Sequence, residues 1–166
     1  FLWLTLRPQW LKEPIGTLIG QSDLIEKYFS GAKKFDDNEA VEDAFNLLQI
    51  IRAAIVMGKC DVALEKADVW FEEIGSTIRS KVNSIEDANQ KCYWLELQAV
   101  YLSNPIPLKG GGINPDNIFA VYKKIIDILP QAPLYNVTRL NNRLDQFIKL
   151  YIHLGDKDDL VDRFEE

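Results

Sequence analysis

The amino-acid sequence predicts an all-α protein built from antiparallel helix pairs, about seven to eight helices in all. Three observations predict it. Apolar residues recur at three- and four-residue spacing through most of the chain, the period of a helix that buries one face. Breaks containing glycine or proline separate the periodic runs. No Asn-Gly or Asp-Gly turn joins alternating apolar runs, so strand signals are almost absent.

Taken in order, the first third is the least regular. Phe1 to Leu6 fits a short extended stretch or the end of a helix; Pro14 can open a helix carrying Ile15, Leu18 and Ile19. Ser22 is an expected N-cap for Asp23 to Phe29. From about Ala40 to Met57, residues Ala44, Leu47, Leu48, Ile51, Ala54 and Ile55 share one helical face, and Gly58 with Lys59 marks its end. A second helix is expected from about Cys60 to Lys81, with Ala63, Ala67, Trp70, Phe71, Ile74 and Ile78 on one side. Ser84 followed by Asp87 resembles a capping box for a helix reaching about Ser103. Two prolines and Lys109-Gly110-Gly111-Gly112 then break the pattern. Asn114-Pro115 restarts it, with asparagine as cap and proline in the first turn. That helix buries Ile118, Phe119, Tyr122, Ile125, Ile126 and Leu129 and ends at Pro130. Another runs from about Tyr135 to Leu154, and a last one begins near Lys157.

Helix pairs joined by short glycine turns prompt a search for repeats. Trp94-x2-Leu97-Gln98-x2-Tyr101 matches the W-x2-L-G-x2-Y pattern of a first repeat helix, with Gln98 in place of glycine. Leu144-x2-Phe147-Ile148-x2-Tyr151 is an apolar version, and Leu47-x2-Ile50-Ile51-x2-Ala54 a weaker one. Second helices follow in phase: Ala54 to Ala63 and Tyr151 to Leu160 both span nine residues, across Met57-Gly58 and Leu154-Gly155. Tyr101 to Ile118 spans seventeen, so eight residues are inserted there before Ile118-x3-Tyr122 resumes the pattern. On these positions the chain resembles a divergent tetratricopeptide helical repeat over about Val41 to Glu166. Its units of 47 and 50 residues exceed the usual ~34. The resemblance implies a short right-handed α-solenoid over residues 38–166, continuing past 166, preceded by an irregular helical segment at 1–37. An irregular helical bundle is the alternative architecture.

In tetratricopeptide proteins the first helices of successive units line a concave groove that holds peptides. The resemblance therefore implies groove positions at Phe45, Leu48, Arg52 and Ile55, then Cys92, Leu95 and Ala99, then Asn142, Asp145, Lys149, Ile152 and His153. The expected partner-binding set among these is Phe45, Leu48, Arg52, Asn142, Asp145, Lys149 and His153. The Lys/Asn arrangement that clamps a terminal carboxylate in some members is not reproduced.

Charge and motif content narrow the function. Lys and Arg number 19 against 25 Asp and Glu, a net charge of −6, which opposes a phosphate backbone; no nucleic acid is expected as a partner. The basic clusters Lys33-Lys34, Lys123-Lys124 and Arg139 with Arg143 are short and flanked by acids or apolar residues. The acidic runs near Asp36 and Asp156 sit at expected helix starts, where they complement the helix dipole. No apolar run reaches the ~18 residues of a membrane span. His153 is the single histidine, so neither a paired-histidine metal site nor a Ser/His/Asp constellation can be assembled around partners of its kind. Lys109 to Gly112 lacks the order of a phosphate-binding loop. Cys60 and Cys92 have no metal or redox spacing; reduced thiols are expected, favouring an intracellular, cytoplasmic setting despite an Asn136-Val137-Thr138 sequon. No cofactor and no enzymatic activity are expected. The leading expectation is a protein–protein interaction scaffold or adaptor that binds a partner segment. A structural segment of a larger assembly or multidomain protein is second, and a regulatory domain that binds a small molecule third.

Overall fold

A computed structural model describes residues 20–30, 37–104 and 113–154, without the side chains of His153 and Leu154. Over those residues the chain is all-helical and contains no strand. Six α-helices are described: α1 (Ser22–Ser30), α2 (Asn38–Val56), α3 (Leu64–Ser84), α4 (Ala88–Leu102), α5 (Pro115–Ile128) and α6 (Val137–Leu154), with a 3₁₀ turn at Leu129–Gln131. The expected helix opened by Pro14, the residue 1–6 stretch, the glycine insertion at 109–112 and the helix from Lys157 lie outside the described residues. So does most of the expected segment 1–37.

Each boundary has a local cause. Asp37 caps α2, its carboxylate accepting from the Ala40 N–H at 2.7 Å. The helix stops where Gly58 takes φ +67°. There the Gly58 N–H donates to the Ile55 carbonyl (2.9 Å) and the Lys59 N–H to the Ala54 carbonyl (2.8 Å), closing a Schellman turn. Helix α3 starts at Leu64 rather than near Cys60. Cys60 and Val62 point alternately into the interior, 7% and 3% exposed, and this extended anchoring holds the chain off the helix. Asp87, not Ser84, caps α4: its carboxylate accepts from the Gln90 N–H at 2.8 Å. Ser84 belongs to the last turn of α3, where its hydroxyl donates back to the Lys81 carbonyl. Asn114 caps α5 with Pro115 in its first turn, and the Asn136 side chain accepts from the Arg139 N–H at the start of α6 (3.1 Å).

The chain divides into two compact units, Phe1–Thr77 and Ile78–Glu166, with the boundary inside α3. In the first unit the Phe29 and Trp70 rings stack at 4.8 Å, Tyr28 meets Phe29 edge-on, and Phe45 tilts against Phe71 at 5.6 Å. Val41, Ala44, Leu48 and Ile51 of α2 are sealed beside them. In the second unit Cys92, Leu95 and Ala99 of α4 form one core with Ile118, Val121, Tyr122 and Ile125 of α5 and Leu140, Phe147 and Tyr151 of α6. Trp94 and Leu97, on other sides of α4, are also buried. A helix covered on nearly every side is a central helix, not a surface one.

Candidate functional site

The most concentrated polar chemistry among the described residues surrounds Glu96. This carboxylate sits mid-way along the apolar run Trp94-Leu95-Glu96-Leu97 and is fully buried (0% exposed). An isolated buried carboxylate is costly, so it demands donors. Three arrive from the far end of the second unit. The Tyr135 hydroxyl donates to Oε2 at 2.7 Å. Arg139 Nε donates to Oε1 at 2.6 Å, and Arg143 Nε to the same oxygen at 3.2 Å. The arginines stand one turn apart on α6, so both guanidiniums reach one point. The Tyr93 ring completes the surround, edge-on to Tyr135 at 4.8 Å and 5.5 Å beneath the Arg139 guanidinium. One turn earlier on α4, the Asn89 side chain accepts from the Leu134 N–H at 2.9 Å.

The electrostatics follow from burial and from the carboxylate. Burial, then the hydrogen bond to Glu96 and its negative charge, push the Tyr135 phenol well above its usual range, against the pull of Arg139. Burial and the Glu96 charge raise Tyr122 to about 12, with Arg143 opposing. Burial alone raises the Cys92 thiol, so its nucleophilic thiolate is disfavoured. A carboxylate sealed from solvent and bound to three donors holds helices together; it does not meet a solute while the unit is closed.

A second ion pair lies in the first unit. Arg52 Nε stands 3.2 Å from Asp68 Oδ1, at angles that do not make a hydrogen bond, and its guanidinium lies 4.9 Å from the centre of the Phe71 ring. Both side chains are about nine-tenths buried.

The structure distributes the expected groove residues unevenly. Phe45 and Leu48 are interior residues of the first unit (3% and 0% exposed), and Arg52 is committed to Asp68 and Phe71. Cys92, Leu95 and Ala99 lie in the second core, not on an open face. The reason is that α2 and α4 each bury more than one side, which a single apolar stripe does not reveal. Asn142, Asp145 and Lys149 are exposed on α6, with Lys149 Nζ 2.6 Å from Asp145 Oδ2. Ile152 is also exposed; the side chain of His153 lies outside the described residues.

Sequence reasoning passed over Glu96. The available signal was a lone acid in an apolar run, matched by two arginines four residues apart. Among the described residues no three His, Cys, Asp or Glu side chains gather as a metal site, and no helix is long and apolar enough to cross a membrane.

Among the described residues the exposed large apolar side chains include Val69 and Ile126 on helix surfaces and a group at two connections. Leu134 is 81% exposed between Ala132 and Tyr135, which are buried, and Val137 beside it is half exposed. Val56 and Met57 are exposed at the end of α2. Compared with protein-family models, with curated proteins and with solved structures, the chain matches none.

Proposed function

We propose that the chain is a protein–protein interaction scaffold, a tetratricopeptide-like stack of helix pairs that presents a fixed surface to another protein. One observation carries this reading. Leu134 projects into solvent from a connection whose backbone is held to α4 through Asn89 and whose neighbour Tyr135 is held by Glu96. An apolar side chain fixed outward by its own flanks loses little freedom on binding, and preorganisation of that kind favours association. Exposed Asn142, Asp145 and Lys149 on α6 supply polar contacts. The stacked arrangement of seven to eight helices, in an intracellular setting, is part of the same proposal. It draws on successive helices joined by short connections, α2 to α3 past Gly58 and α5 to α6 past Leu129–Gln131.

Affinity capture from a cell extract tests it, with the wild-type chain and a Leu134→Asp variant of matched circular dichroism as baits. A stoichiometric protein held by the wild type and lost from the variant is the expected result. Capture that is indifferent to both Leu134→Asp and Lys149→Glu, or no capture by a soluble bait, overturns the reading. The second reading, a structural segment of a larger assembly, is favoured by Val56 and Met57, 76% and 61% exposed at one helix end. It predicts a bait that aggregates when expressed alone.

A further inference from the structure

Resting on the scaffold reading, we infer that the chain enters its partner rather than receiving it: Leu134 is a knob that seats in a leucine-sized, uncharged apolar pocket of another protein. The Tyr135 N–H donates to the Ala132 carbonyl at 3.1 Å, closing a β-turn whose central residues are Pro133 and Leu134. Both feet of the turn are buried, Ala132 at 3% and Tyr135 at 4% exposed. Its tip stands out: Pro133 is exposed and Leu134 is 81% exposed. The tip is also fixed. The Pro133 ring sets one backbone angle, the central amide of the turn donates to Asn89 at 2.9 Å, and the Tyr135 hydroxyl is held by Glu96.

Shape sets the form of the complement. A flat surface covers a side chain that projects this far on one side only; removing it fully from water takes walls around it. Charge sets the lining. The eleven residues from Ile128 to Thr138 contain no Asp, Glu, Lys or Arg, in a chain that is 27% charged. A charged group on the pocket wall would lose water there and gain no counter-charge from this run. The opposite arrangement, a groove that receives a peptide, is closed at Phe45, Leu48, Cys92, Leu95 and Ala99, all of them buried. A lipid surface fits less well. One leucine beside a half-exposed Val137 offers far less apolar area than a myristoyl chain, and even that chain binds membranes marginally. The net charge of −6 also opposes an anionic leaflet.

The test places photo-leucine, the diazirine analogue of leucine, at position 134 of the whole chain and irradiates it in a cell extract with membranes retained. Mass spectrometry should find the adduct on one other protein, at apolar residues. Adducts on lipid, adducts on a second copy of this chain, or quenching by water alone overturn the inference. The cross-linked protein is then purified and titrated with variants at Leu134, each matched to the wild type by circular dichroism. A pocket accepts Leu134→Met, of nearly equal volume, with affinity close to wild type. It weakens Leu134→Ala about tenfold or more through lost apolar area. It weakens Leu134→Trp at least as much, because the ring has no room. Binding of Leu134→Trp as tight as wild type, or tighter, overturns the inference, since an open surface gains from a larger ring. That result leaves the scaffold reading in place, whereas a soluble wild-type bait that captures nothing defeats the scaffold reading itself.

Discussion

Glu96→Gln removes one charge from the second unit and almost nothing else. The amide has the shape of the carboxylate, so no cavity opens. Its lowest-cost orientation turns the carbonyl oxygen toward Arg139 and Arg143 and the NH2 toward Tyr135, whose oxygen can accept. All three contacts then persist as bonds to a neutral group. Hydrogen bonds to charged groups contribute about 1.5–3 kcal/mol and neutral ones about 0.5–1.5; the Tyr135 bond passes from the first class to the second and the two guanidinium bonds lose their ion-pair attraction, so the three together lose roughly 3 kcal/mol. The arginine side chains are 30% and 25% exposed, and water partly restores their solvation, which brings the expected loss to about 2 kcal/mol. Hydrogen exchange of α6 backbone amides, read by peptide mass spectrometry, should show it as a fall in protection of about 30-fold, at 1.36 kcal/mol per tenfold. A fall of less than about threefold would refute the reasoning, because Glu96 would then carry no net charge interaction with α6. Glu96→Leu should do more harm than Glu96→Gln, since it strands two guanidinium donors and a phenol.

Two further outcomes are expected. Tyr122 and Tyr135 bind their protons more tightly folded than unfolded, where a tyrosine titrates near ~10. Their contribution is therefore complete below pH ~10 and is lost as pH rises through the folded values, about 12 for Tyr122 and higher for Tyr135. Urea midpoints measured from pH 9 to 11.5 should fall with rising pH, and less steeply in Tyr135→Phe; an equal slope in that variant contradicts the assignment. Asp87→Ala removes the cap of α4 and should cost about 1 kcal/mol, read as a lowered urea midpoint at constant slope, whereas Ser84→Ala should change it little.

Much of the helical layout was legible in the sequence because its signals are local. Gly58 closes a Schellman turn that needs φ +67°, and Asn114-Pro115 supplies a cap oxygen and a preset backbone angle. Each acts within one turn of chain. What was not legible depends on neighbours distant in sequence. The start of α3 is delayed past Cys60 and Val62, whose burial depends on residues beyond their own turn of chain. The caps at Ser84 and Asp87 were misread because both residues can cap, and only the site where the helix resumes separates them. Phe45, Leu48, Cys92, Leu95 and Ala99 share the spacing of groove residues, but spacing cannot say whether a second side of the helix is also covered. Glu96 was the hardest to see: its partners lie 39 to 47 residues away, and an acid among apolar residues gains meaning only once Arg139 and Arg143 face it.

The most direct test of this account observes the two arginines. In an amide-type nitrogen–proton spectrum tuned to guanidinium Nε–H groups, Arg139 and Arg143 should each give a resolved signal, shifted downfield and slow to exchange with water. Both signals should move to ordinary, fast-exchanging positions in Glu96→Leu, which leaves neither Nε–H group its acceptor. Arg139 and Arg143 signals that already exchange at the solvent rate in the wild-type chain would contradict the buried carboxylate as the centre of the second unit.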